Sequence, residues 1–140
     1  MLPASARSSR FFARPDRNGA LTDYYEYRDT AMSGLAPYKP EWIRMLRVVS
    51  NDDPDNPDVA FNNGHLMHQL TYFVGDVNFY WMADGARHCR RMGTGDSCYI
   101  TPFTPHSFTS RDPSQPGAIV AVTYGAAIAK SLDALSRLSP

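Results

Sequence analysis

The sequence predicts an all-β domain built as an antiparallel barrel or sandwich. From residue 59 onwards, short segments rich in β-branched and aromatic residues alternate with turn sequences such as Gly75-Asp76 and Ala83-Asp84-Gly85. Many short strands joined by evenly spaced turns are typical of these two architectures. The composition agrees, because 140 residues with 43% hydrophobic and 20% charged side chains fit one domain with one core.

The elements are expected in a simple order along the chain. Residues 1–20 are mixed and polar and predict a flexible N-terminal arm, and residues 21–125 predict the barrel. Residues 126–140 carry Ala, Leu and Ile at helical spacing and predict a short C-terminal helix or tail. The predicted strands cover residues 23–28, 43–49, 66–74, 77–82, 87–92, 98–101, 106–110 and 117–124. Gly, Pro and Asn/Asp mark residues 33–40 and 51–58 as connections.

Charge and hydropathy exclude several partners. Fourteen Lys and Arg balance fourteen Asp and Glu with no basic block, so neither nucleic acid nor a membrane surface is expected as a partner. No apolar run approaches the ~20 residues of a membrane span, and residues 1–10 lack the apolar core of a secretory signal. We therefore expect a cytoplasmic protein, and a homo-oligomer. Cys89 and Cys98 flank a Gly-rich turn, which leaves open reduced thiols, the favoured reading, and a disulfide.

Two of the four histidines lie in matched surroundings. His65 follows the turn Asn62-Asn63-Gly64 and precedes a strand, and His106 follows residues 102–105 and begins another strand. Residues at even separation share one face of a strand, so His65 and Gln69 point the same way. If that face lines the barrel interior, His106 from a neighbouring strand completes a three-ligand site for a divalent metal. The other two histidines are expected outside the pocket.

Residues 64–75 and 95–106 resemble the two motifs of the cupin superfamily. The ligand positions of those motifs, normally three His and one Glu, carry Asn63, His65, Gln69 and His106. The resemblance implies a double-stranded β-helix, or jelly-roll barrel, with two His and one Gln as metal ligands. A facial set of two His and one oxygen donor is used by non-haem iron(II) oxygenases, so iron(II) is the expected cofactor.

A narrower resemblance covers roughly residues 22–125. The segments that carry it are Tyr24-Tyr25-x-Tyr27, the loop 51–58 and Asn62-x-Gly64-His65. They are similar to the iron-dependent phosphonate oxygenases, which include hydroxypropylphosphonate epoxidase, hydroxyethylphosphonate dioxygenase and methylphosphonate synthase. Relatives with a carboxylate ligand carry it at the position of Gln69 or of Ile100. The Gln/Ile combination of this chain is similar to methylphosphonate synthase.

This resemblance implies an enzyme that uses iron(II) and O2 to cleave the C–C bond of 2-hydroxyethylphosphonate and to give methylphosphonate. One alternative is the dioxygenase reaction that gives hydroxymethylphosphonate. A second is a non-catalytic cupin that binds a small anion or a metal. A third is another cupin enzyme, such as an isomerase or a thiol or diketone dioxygenase, against which the Tyr-x-Tyr and Asn-x-Gly-His segments argue.

The same resemblance assigns Tyr27 and Asn62 to the phosphonate oxygens and Arg17 to the place nearest a family arginine. Wall packing is the alternative role for the tyrosines, because strands favour aromatic residues in any case. Tyr27 and Asn62 are uncharged donors, so an Arg or Lys is expected to balance the phosphonate charge. The local candidates are Arg17, Arg44 and Arg47.

Overall fold

The computed structural model describes residues 9–30, 35 and 37–125, and within them the chain forms nine β-strands and no helix. The strands are β1 (Arg10–Pro15), β2 (Leu21–Asp29), β3 (Tyr38–Met45), β4 (His68–Val74), β5 (Val77–Ala83), β6 (Ala86–Met92), β7 (Ser97–Ile100), β8 (His106–Ser110) and β9 (Ala118–Tyr124). The helix predicted within 126–140 lies outside the described residues. The search for a helix long and apolar enough to span a membrane found none in the described part of the chain.

The strands form two antiparallel sheets that enclose one core. The larger sheet has the order β1-β2-β3-β9-β4-β7, and the smaller has the order β6-β5-β8. Phe73 of the larger sheet packs against both Phe79 and Phe108 of the smaller one, with ring centroids 6.2 and 5.9 Å away. The predicted all-β architecture is confirmed, and all eight predicted strands are present. The largest shift of bounds is in β3, which was expected at 43–49.

β1 lies in the segment that was expected to be a loose arm. It pairs with β2 from Arg10 opposite Tyr27 to Pro15 opposite Leu21. Phe12 packs edge-on against Tyr27 with ring centroids 4.7 Å apart. The expectation of an arm over residues 1–20 is therefore corrected for residues 10–15, because backbone pairing and this aromatic contact hold them on the sheet.

A β-bulge in the β1–β2 pair directs two adjacent tyrosines to the same place. The register shifts at Tyr24, which has no partner on β1. An extra residue of this kind breaks the alternation of side chains along a strand. The hydroxyls of Tyr24 and Tyr25 therefore both reach the Ser107 hydroxyl on β8, at 2.6 and 3.3 Å.

The barrel is open along one side. Among residues 9–30, 35 and 37–125, β6 pairs only with β5 and β7 pairs only with β4, so each sheet ends there in an edge strand. A cavity lies between these two edges. We call this opening, bounded by residues 86–92 and 97–100, the β6–β7 seam. Cys89 and Cys98 are both free thiols, as favoured from the sequence.

Candidate metal centre

Asn62 ties the turn before β4 to the start of β8. Its N–H donates to the His106 carbonyl oxygen (3.1 Å), and its Oδ1 accepts from the N–H groups of His106 (3.0 Å) and Gly64 (2.9 Å). Its Nδ2 lies 3.2 Å from Nε2 of the His106 ring. The side chain expected to bind substrate therefore also fixes the position of one expected metal ligand.

Gly64 allows this turn to lie directly against the loop before β8. Its φ is +79°, and a Cβ built there would lie 2.6 Å from the carbonyl carbon of Phe103. The Phe103 N–H donates to the His65 carbonyl oxygen at 2.8 Å. Only glycine combines this φ with this close approach. As a result, the rings of His65 and His106 lie with their centroids 5.1 Å apart.

Both imidazole rings are oriented through Nδ1. His65 Nδ1 lies 2.8 Å from the Met67 carbonyl oxygen, and His106 Nδ1 lies 2.8 Å from the Thr104 carbonyl oxygen. A carbonyl oxygen only accepts, so each Nδ1 carries the hydrogen. In a neutral ring, Nε2 then presents its lone pair. A backbone carbonyl on the far nitrogen is the usual support of a metal-bound histidine.

Gln69 turns its amide oxygen toward His65. Its Nε2 donates to the Thr71 hydroxyl (2.9 Å), and its Oε1 lies 3.1 Å from His65 Nε2. Burial raises the pKa of the Cys98 thiol to about 11, and a hydrogen bond with Thr71 opposes that rise. With His65 neutral, two acceptor atoms face each other at 3.1 Å without a hydrogen between them.

This donor set fits a divalent cation. A cation between His65 Nε2 and Gln69 Oε1 would satisfy two acceptors that otherwise repel each other, and His106 Nε2 supplies the third donor. Imidazole nitrogen suits first-row metals such as iron. No group of three His, Cys, Asp or Glu side chains gathers anywhere in residues 9–30, 35 and 37–125. The amide of Gln69 is thus needed for a three-ligand set.

His106 is held in the neutral, metal-binding form. Only 4% of the residue is exposed. Burial, with a smaller effect from the charge of His65, lowers the pKa of His106 to about 4. Protons therefore compete with a metal for this nitrogen only in strongly acidic solution.

We expect the metal-free protein to lose stability as the pH falls from 6.5 toward 4. The unfolded chain takes up a proton on His106 near its ordinary pKa of 6.5, whereas the folded chain takes it up only near 4. The unfolded state thus binds more protons in this window, and the free energy of unfolding should fall by up to about 3 kcal/mol. Urea unfolding at pH 7.5 and 4.5 measures this loss. His106→Gln should lose less over the same range, and an equal loss in both proteins would contradict the assignment to His106.

The three tyrosines of β2 differ in their freedom to bind a ligand. The hydroxyls of Tyr24 and Tyr25 both form hydrogen bonds with the Ser107 hydroxyl, and the Tyr25 hydroxyl also accepts from the Phe108 N–H (3.0 Å). Tyr27 packs against the core, and its hydroxyl has no hydrogen-bond partner among the residues that the structure describes. Burial raises the pKa of Tyr27, so its phenol stays protonated and can donate.

The three arginines expected to balance a phosphonate are engaged elsewhere. Arg17 is exposed and donates to Asp58 from Nε (3.0 Å) and Nη2 (2.8 Å). Arg44 lies 2.9 Å from Glu26. The guanidinium of Arg47 donates to several backbone carbonyl oxygens and to the Thr22 hydroxyl. The structure therefore does not bring Arg17 to the cluster of ligands.

Arg14 is an arginine that the sequence did not single out. It lies half-buried on β1. It is near enough to Tyr24 and Tyr27 for its charge to oppose the rise in pKa that burial causes in both phenols. Its guanidinium donates to the Ala13 carbonyl oxygen (2.8 Å) and has no carboxylate partner among the described residues. Recognition of β1 as a strand was the missing signal, because only the β1–β2 pairing places Arg14 near the tyrosines.

Apolar side chains border the ligand cluster. Ile100 is opposite Gln69 in the β4–β7 register, and Trp81 is opposite His106 in the β5–β8 register. Both line a cavity of about 260 Å³. Ile100 is 2% exposed. The position that carries a carboxylate ligand in some phosphonate oxygenases is therefore occupied by a buried apolar side chain in this chain.

Comparison with known proteins supports the expected resemblance. No protein-family model matches the sequence. The chain is 57% identical over 123 residues to methylphosphonate synthase from Nitrosopumilus maritimus (strain SCM1), which covers 86% of this chain and 26% of that protein. It is 25% identical over 103 residues to (S)-2-hydroxypropylphosphonic acid epoxidase from Streptomyces wedmorensis, which covers 73% of this chain and 50% of the epoxidase. The chain thus spans a quarter to a half of these two relatives.

Solved structures confirm the cupin-type barrel. The structure of Streptomyces albus HEPD with its substrate 2-hydroxyethylphosphonate and Fe(II) bound matches 97% of this chain and 32% of that one. The TM-score is 0.81 and the identity is 48%. The structure of Fe(II)-HppE with the alternative substrate (S)-1-HPP matches 89% of this chain and 60% of that one, with a TM-score of 0.66. At 21% identity, the second likeness supports the fold alone.

Proposed function

We propose, from the premise that this chain is related to the iron-dependent phosphonate oxygenases, that it is an enzyme of the methylphosphonate-synthase type. It would use iron(II) and O2 to cleave the C–C bond of 2-hydroxyethylphosphonate and give methylphosphonate. The single observation that carries the proposal is the opposed pair of acceptors, His65 Nε2 and Gln69 Oε1, at 3.1 Å. A bound cation would explain that pair, and the 57% identity to methylphosphonate synthase supports the proposed reaction.

His65, Gln69 and His106 would hold iron(II), which would supply the activation of O2 and the cleavage of the carbon–carbon bond. The chain's own side chains have other tasks. Tyr27 offers an unpartnered O–H, and Asn62 offers Nδ2, which loses its acceptor on His106 once Nε2 binds a metal. Both would donate to phosphonate oxygens. Ile100 and Trp81 would keep water away from the reacting carbons.

We assign the balance of the phosphonate charge to Arg14 in place of Arg17. Arg14 is opposite Thr22 in the β1–β2 register, its charge opposes the rise in the pKa of Tyr27, and it has no carboxylate partner in the described residues, whereas Arg17 already binds Asp58 with two side-chain hydrogen bonds. A dianion that leaves water needs cationic donors, and arginine can meet two phosphonate oxygens at once.

Arg14→Gln should raise KM for 2-hydroxyethylphosphonate by about tenfold or more, since a hydrogen bond to a charged group contributes about 1.5–3 kcal/mol. The effect should appear in KM more than in kcat, because Arg14 binds the phosphonate end and not the reacting carbons. Arg17→Gln is the matched control and should leave KM within about twofold. A larger effect of Arg17→Gln than of Arg14→Gln would show that Arg17, and not Arg14, balances the phosphonate charge.

The proposed reaction is tested by loading the protein anaerobically with iron(II), adding 2-hydroxyethylphosphonate and then admitting O2. Phosphorus NMR should show a new phosphonate signal, and His106→Ala should show none. If the protein takes up no metal and gives no new signal, the enzyme proposal is wrong. Metal uptake without turnover would favour the non-catalytic cupin.

The product is decided by labelled carbon. Methylphosphonate plus bicarbonate and hydroxymethylphosphonate plus formate both balance the atoms of 2-hydroxyethylphosphonate and O2, with one proton released in each case. Substrate labelled with carbon-13 at the hydroxyl-bearing carbon should give bicarbonate if the chain acts as proposed. Labelled formate would instead place it with the dioxygenase reaction.

Location and assembly are part of the proposal. The free thiols of Cys89 and Cys98 support a reducing compartment such as the cytoplasm. The zero net charge gives no support to nucleic acid or membrane partners. A homo-oligomer is expected, and sedimentation of the purified protein measures it.

A further inference from the structure

A second cavity lies in the β6–β7 seam, beside the one that Ile100 and Trp81 line. Its volume is about 420 Å³, which is within the range of small-molecule sites. Phe79 and Trp81 line both cavities and stack on each other with centroids 5.0 Å apart and planes 22° apart. They offer an aromatic wall to the seam. Met92 and Cys98 extend its apolar lining.

Arg90 brings a positive charge to this cavity. In the β5–β6 register it is opposite Phe79, so it shares the inward face of the smaller sheet. It has no hydrogen bond or ion pair from its side chain within the described part of the chain. The neighbouring Arg91 is neutralised by two hydrogen bonds to Asp76, at 2.8 and 2.9 Å. Arg90 is therefore the cation of the seam that is available to a ligand.

One carboxylate also lines the cavity and must be compatible with an anion there. Asp96 Oδ2 accepts from the Gly93 N–H at 2.8 Å, which holds this carboxylate in the turn before β7. It forms no ion pair with Arg90. The charge available to a bound group in the seam is thus that of the Arg90 guanidinium.

We propose that the β6–β7 seam is a second binding site, for a small organic anion in which a phosphonate or carboxylate group is joined to a flat apolar body. The anionic group would pair with Arg90, because a guanidinium suits two-oxygen anions. The flat body would meet the edges of Phe79 and Trp81, because the faces of these rings are already stacked on Phe108, on His88 and on each other, and edge-to-face contacts are also favourable. The site is separate from the three metal ligands and needs no metal.

A second possible role of Arg90 would involve no ligand. Charged side chains that point inward at a sheet edge prevent strands of other molecules from pairing there. In that case Arg90 would need no ligand at all. Binding of an anion to metal-free protein distinguishes the two roles, because edge protection predicts no saturable binding.

The test uses the fluorescence of Trp81 in the Trp42→Phe protein, which removes the other tryptophan of the chain. With metal removed by chelation, phenylphosphonate should change the emission of Trp81 in a saturable way. Inorganic phosphate and benzyl alcohol, which each lack one half of the ligand, should bind at least about tenfold more weakly. Absence of a saturable change would overturn the proposal.

Three substitutions locate the bound anion. Arg90→Gln should weaken phenylphosphonate by about tenfold or more, through loss of a charge-assisted bond. Arg87→Gln, on the same strand but over the Phe61 ring, is the matched control and should leave the affinity within about twofold. Arg14→Gln should also leave it unchanged. A loss in Arg14→Gln, or none in Arg90→Gln, would place the anion in the metal pocket and overturn the seam site.

Discussion

His106→Ala should abolish iron(II) binding, and it is one of the two changes with the largest expected effect. Loss of a residue that only supports a metal ligand typically lowers affinity by about 10–100-fold. Removal of a ligand should therefore exceed about 100-fold. Burial also keeps His106 neutral above a pKa of about 4. Anaerobic titration with iron(II), or with cobalt(II) followed by its visible absorption, measures the loss.

His68→Ala is the control for that experiment. His68 is on β4 beside Gln69, but it lies on the outer face, where its ring stacks on Tyr124 with centroids 5.2 Å apart. Iron affinity should stay within about threefold, because no ligand or ligand support is removed. Retention of iron by folded His106→Ala protein, as judged by circular dichroism, would show that the ligand assignment is wrong.

Gly64→Ala should have the second large effect, because it combines a strained φ with a backbone clash. The positive φ of +79° costs an alanine about 1–2 kcal/mol. The new Cβ would also lie 2.6 Å from the Phe103 backbone, and overpacking of this kind costs about 1–3 kcal/mol more. Because the Phe103 N–H binds the His65 carbonyl oxygen, relief of the clash must move His65. We therefore expect both a lower free energy of unfolding in urea and weaker iron binding.

Gly85→Ala separates the cost of the positive φ from the cost of the close backbone contact. Gly85 has nearly the same φ, +74°, but nothing lies within 4 Å of the position of its Cβ. This variant should lose only the conformational part, about 1–2 kcal/mol, and should bind iron normally. Equal losses of stability in the two variants would show that the contact between Gly64 and Phe103 contributes nothing.

Strand alternation explains why much of the barrel was predictable. On β4 the side chains alternate with a period of two, which the sequence predicted as a strand, but Gln69 and Thr71 are buried while Leu70 and Tyr72 are exposed, so hydropathy alone would have chosen the wrong buried face. β1 was missed because Arg10–Pro15 carries only two aromatic residues among charged and small ones. Its stability comes from pairing with β2, which is a long-range contact that local composition does not record.

The candidate site, like the fold, was predicted only in part. His65, Gln69 and His106 were predicted from spacing and resemblance, and the structure gathers them, although their ligand role remains a proposal. Arg17 was chosen by proximity in sequence, whereas Asp58, 41 residues away, decides where its guanidinium goes. Arg14 carried no signal in the sequence, because its place on the sheet, opposite Thr22, depends on the pairing of β1 with β2. Charge pairing and register are properties of the folded chain.

The donor set described above also has a thermodynamic consequence. Two neutral imidazoles and a neutral amide leave the full double charge of a bound divalent ion uncompensated by protein ligands. The phosphonate dianion would be the group that neutralises it. Linkage then requires that substrate tighten metal binding by the same factor by which metal tightens substrate binding. Such a centre would release its iron most easily when no substrate is present, so the reactive ion and the molecule it acts on would tend to be retained together.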